Sequence, residues 1–128
     1  MTSLLLIILA GILNAAMDII VSTTRYNKSV FKMLPKNWET FFDSTTSWQN
    51  KWKDGDRDKG ELFFGSSTFL VWTTDAWHLF KTLMLLCFSV AVVTYNPMIN
   101  PLIDAITYWI VFGIVFELFW SKIFLKSK

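Results

Sequence analysis

The sequence predicts an all-α integral membrane protein with three transmembrane helices and a surface-lying, Trp-rich cytoplasmic first loop. Three observations predict it. Apolar runs, each about as long as a bilayer core is thick, alternate with polar segments. The chain carries 12 Phe and 7 Trp in 128 residues, and 53% of it is apolar, above the usual share of a soluble domain. Nearly all of its Lys and Arg lie in one set of loops. The length suits one membrane domain, residues 1–128. A net charge of +2 that is mixed in sign points away from a nucleic-acid partner. The one cysteine, Cys87, lies inside an apolar run and has no partner in the chain, so disulfides say nothing of the compartment.

The first span is expected over residues 3–22, interrupted only by Asn14 and Asp18. At about 1.5 Å per residue it covers roughly 30 Å, the thickness of the hydrocarbon core. A removed leader is the competing reading. The run lacks a basic n-region, and its small-residue pair Ala15-Ala16 sits within the helix pattern, so a true span is expected. The second apolar run, from Leu62 to Tyr95, is too short for two spans and long for one. Thr73-Thr74-Asp75 are residue types that start helices. The span is therefore expected over 75–95, preceded by an approach segment, 62–74; one tilted helix from Ser67 is the alternative. The third span, 102–124, follows Asn96-Pro97 and Asn100-Pro101, with Pro101 suited to the first helical turn. Loop 23–61 is polar but punctuated by aromatics. Trp48 and Trp52 are spaced to share one face of a helical turn, which predicts a segment lying on the membrane surface.

Charge sets the expected orientation. The first loop holds Arg25, Lys28, Lys32, Lys36, Lys51, Lys53, Arg57 and Lys59, and the C-terminal end adds Lys122, Lys126 and Lys128. The second loop has no basic residue, so the N-terminus is expected outside and the C-terminus in the cytoplasm.

Ionisable groups in lipid are costly and need a partner, water or a role. Asp18, Asp75, His78 and Glu117 all fall near the cytoplasmic ends of their spans. Asn14 and Asp18 share a stripe with Gly11, Ser22 and Arg25. Asp75 and His78 share one with Thr82 and Ser89, with Lys81 adjacent. Gly113, Glu117 and Ser121 share a face of the third helix, beside a bulky ridge of Trp109, Phe112, Phe116 and Phe119. The functional reading is an intramembrane polar pocket of Asp18, Asp75, His78, Glu117, Asn14 and Lys81. Asp18, Asp75 and His78 would be the ligands of a divalent metal or members of a proton relay. The structural reading has Asp75 capping its helix, His78 bonding between helices, Lys81 snorkelling or pairing with Glu117, and Asp18 reaching the headgroups. Asp104, at the far end, is expected to cap the third helix or face water. The acidic run Asp54–Glu61 reads as a solvated turn. A calcium loop would need Gly where Lys59 stands and Glu where Gly65 stands.

The stretches Ser47-Trp48-Gln49-Asn50-Lys51-Trp52-Lys53, Phe64-Gly65-Ser66-Ser67-Thr68 and Thr74-Asp75-Ala76-Trp77-His78 resemble small bacterial multi-pass membrane proteins. That resemblance implies a bacterial inner-membrane location and no particular activity. Three short helices enclose little by themselves, so a homo-oligomer or larger membrane complex is expected. Three functions remain open: an oligomeric ion or proton channel or transporter, a non-catalytic accessory subunit, and a metal-binding membrane enzyme.

Overall fold

The computed structural model describes residues 1–126, so Lys128, counted above with the C-terminal charge, lies outside them. Every element among the described residues is helical. Three helices are long and apolar enough to cross a membrane: α1 (Thr2–Ile20), α5 (Ala76–Val93), and α6 (Pro101–Leu118) prolonged by a wide π-type turn over Phe119–Phe124. Between α1 and α5 lie the short helices α2 (Thr23–Asn27), α3 (Lys36–Phe42) and α4 (Ser44–Ser47), with single 3-10 turns around them.

Helix α1 is the centre of the bundle. Of its apolar window 44% is buried, against 17% for α5 and 6% for the third helix, because α5 and α6 both pack on it. Small residues make this possible. At Gly11 a Cβ would stand 3.1 Å from the Phe112 carbonyl oxygen and 3.3 Å from Val115, so α1 and α6 meet nearly backbone to backbone. Ala10 and Leu13 pack on Cys87 of α5, and the Ser3 hydroxyl donates to the Ala91 carbonyl (3.1 Å).

The helix starts follow local chemistry. The Asp75 carboxylate caps α5, accepting from the His78 N–H at 2.9 Å. Segment 62–74 is turns and one 3-10 turn (Val71–Thr73), which removes the single tilted helix from Ser67. Asn100 caps α6 by accepting from the Leu102 and Ile103 N–H groups, with Pro101 at the first helical position.

The first loop folds back under the helix ends. Phe31, Phe41 and Phe42 pack with Phe80 of α5 on a buried set of Ile20, Tyr26 and Ala76. Phe31 also meets Phe124, and the chain end is tied down by Lys126 N–H donating to the Lys28 carbonyl (2.9 Å). The Trp48/Trp52 expectation is corrected. The 3-10 turn ends at Lys51, and Trp52 is extended and bridges to Glu61, because the chain must reverse there. The acidic run is that reversal, with Lys59 paired to Asp54 at 2.9 Å and Arg57 over the Trp52 ring.

Glu61 closes the next turn. Its carboxylate accepts from the Ser67 hydroxyl and from the Gly65 and Ser67 N–H groups. Those bonds, the Ser67 hydroxyl first, hold its pKa below the ordinary value. Gly65 itself sits at φ +83°, a conformation that a side chain would strain.

Candidate functional site at the loop end of the bundle

Asp75 is the most enclosed charged group at this end, with 3% of its surface exposed. One carboxylate oxygen caps the helix and the other meets His78 Nδ1 at 2.6 Å. An ionised carboxylate only accepts, so Nδ1 carries a hydrogen and Nε2 is left as the nitrogen that can bond elsewhere. The imidazole is half-buried, with Trp77 edge-on at 5.0 Å, and Nε2 has no hydrogen-bond partner among the described residues. The loop braces the pair from behind. Asn50 donates to the carbonyls of Thr40 (2.8 Å) and Thr74 (2.9 Å), fixing the residue before Asp75. This arrangement can exchange a proton at Nε2 or offer one nitrogen to a cation.

Asp18 does not join them. Its Oδ2 accepts from Trp120 Nε1 at 2.7 Å, and Arg25 reaches its Oδ1 at 3.6 Å while donating to its carbonyl oxygen. The π-type turn carries Trp120 to Asp18, and α2 brings Arg25 back along α1. The structure does not bring the expected metal set of Asp18, Asp75 and His78 together. Among the described residues no three His, Cys, Asp or Glu side chains gather closely enough to hold an ion.

The remaining members of the expected pocket are also apart. Asn14 is half-buried and lines a groove between α1 and α6 with Trp109, Phe112, Gly113 and Phe116. Lys81 is exposed, its ammonium 4.8 Å from the centre of the Trp77 ring. Glu117 is exposed on α6, and its side chain has no hydrogen bond or ion pair among the described residues. The Lys81–Glu117 pair of the structural reading is therefore not formed within the chain. Gly113, one turn before Glu117, has no atom beyond its own helix turn within 4 Å of where a Cβ would stand. The two glycines differ in this way: Gly11 is explained by packing inside the chain, Gly113 is not.

At the far end the expectation for Asp104 is overturned. It neither caps α6 nor faces water. It is 1% exposed and accepts from the Tyr95 hydroxyl (2.9 Å) and the N–H groups of Met98 (2.8 Å) and Ile99 (3.2 Å). Asn100 has already satisfied the first helical donors, which leaves Asp104 to hold the turn between α5 and α6. The nine-residue interval across two Asn-Pro pairs was the available signal for that closure. An apolar cavity of about 320 Å³ opens beside it, between Phe88, Ala91, Tyr95 and Tyr108.

Comparison with protein-family models, with curated proteins and with solved structures finds no match.

Proposed function

We propose that this is a three-span membrane protein that acts by helix association in the bilayer, as a packing subunit and not as a catalyst. The observation that carries the reading is the uncovered face of α6. A carboxylate, Glu117, and a glycine with open space above it, Gly113, lie one turn apart on the least buried of the three helices. A glycine inside a helix costs about 1 kcal/mol relative to alanine. An ionisable group facing lipid costs up to about 3 kcal/mol on insertion scales, the full figure applying at the middle of a span. Both costs are offset when another helix packs closely on Gly113 and supplies a partner to Glu117.

The basic first loop and the C-terminal end face the cytoplasm on this reading, by the charge count. The exposed Trp38, Phe63, Phe64, Phe69 and Trp72 of the loop side then rest in the interface. The test is extraction of the full chain from the producing membrane into polymer-bounded discs, followed by native mass measurement. The expected result is an assembly heavier than the 14.9 kDa monomer. Gly113→Leu, whose Cβ would meet nothing inside the chain, should keep its helix content and return it to monomer. A monomeric wild type, or an assembly indifferent to this substitution, overturns the reading.

A second reading, proton transfer at the cytoplasmic mouth of such an assembly, is favoured by the unpartnered Nε2 of His78. Vesicles holding the protein should then leak protons, and His78→Gln and Asp75→Asn should each abolish the leak without changing assembly size. Equal flux in all three proteins refutes it.

A further inference from the structure

We infer that the partner at Glu117 is Lys81 of a second copy of this chain. The inference rests on the association reading and names its partner. Lys81 and Glu117 are opposite in charge, exposed, and unpaired among the described residues. They also match in depth. Lys81 stands six residues into α5 from its cap at Asp75, about 9 Å along the axis. Glu117 stands seven residues before Phe124, whose ring meets Phe31 of the same loop layer, at most about 10 Å. Two copies inserted in the same direction therefore carry both groups at one level.

Within one chain the two do not meet, because α5 and α6 are each organised around α1 and the aromatic cluster of Phe31, Phe42, Phe80 and Phe124 occupies this end. The Trp77 ring steadies the Lys81 ammonium but is no counter-ion. Between copies each unpaired charge finds its complement, and Gly113 lets the α6 backbone come close enough for a carboxylate and an ammonium to touch. A like-charged approach would repel, so the pairing also sets which faces meet.

The experiment uses full-length chains carrying donor or acceptor dyes in vesicles of phosphatidylethanolamine and phosphatidylglycerol. Energy transfer is followed as the protein-to-lipid ratio is varied. Wild type should self-associate. Lys81→Glu alone and Glu117→Lys alone should each weaken self-association by about tenfold. Mixing the two single variants should restore energy transfer between them, since each then supplies the charge the other lacks. That recovery also shows that both are folded. The inference is overturned if wild type does not self-associate, if either single variant associates as wild type does, or if the mixture fails to recover. An assembly in native discs that is lost with Gly113→Leu, together with no effect of either charge reversal, sinks the Lys81 pairing and leaves the association reading standing.

Discussion

Asp104→Asn is expected to lower the thermal midpoint by on the order of 5–10 °C, although it changes neither size nor shape. The carboxylate accepts from three donors, the Tyr95 hydroxyl and two backbone N–H groups. An amide offers one oxygen and one NH2. Whichever way it turns, one of the Met98 and Ile99 N–H groups faces another donor at a buried position, since Asp104 is 1% exposed. The Tyr95 hydroxyl can reverse to accept, but a backbone N–H cannot. Hydrogen exchange at Met98 and Ile99 reads the effect locally, and both amides should lose protection before α5 and α6 separate. Unchanged exchange at both positions would show that the carboxylate does not hold the turn.

Gly11→Leu is expected to be the most damaging single change in the spans, costing about 3 kcal/mol, at the upper end for overpacking. Its Cβ alone would stand 3.1 Å from a backbone oxygen of α6, which a rotamer change cannot relieve. The helices must move apart, and the Asp18–Trp120 hydrogen bond at the loop end goes with them. Gly113 provides the contrast. Nothing lies near its Cβ, so Gly113→Ala should stabilise an isolated chain by about 1 kcal/mol through helix propensity. Unfolding titrations in mixed micelles compare the two sites directly. If Gly11→Leu matches wild type, α1 and α6 are not in the contact described.

The three apolar helices were legible in the sequence because their signal is length and composition, which need no knowledge of neighbours. The caps were legible for a similar reason. Asp75 and Asn100 act on N–H groups two or three residues away, so local spacing contains the whole interaction. Gly113 and Glu117, one turn apart by spacing, are both exposed on α6, while Ser121 of the same expected stripe lies in the π-type turn.

Which face turns inward was decided elsewhere. Three stripes of polar residues suggested one pocket, and a stripe carries no information on which neighbour it meets. The tertiary structure gives Asp18 to Trp120, 102 residues away, and leaves Glu117 outside. It also buries Asp104, whose three donors come from a turn that only the packing of α5 and α6 on α1 closes. Residues within a turn of each other interact whatever the rest of the chain does. A side chain that must choose among distant partners is placed by the backbone approach that small residues permit, and here that approach is at Gly11.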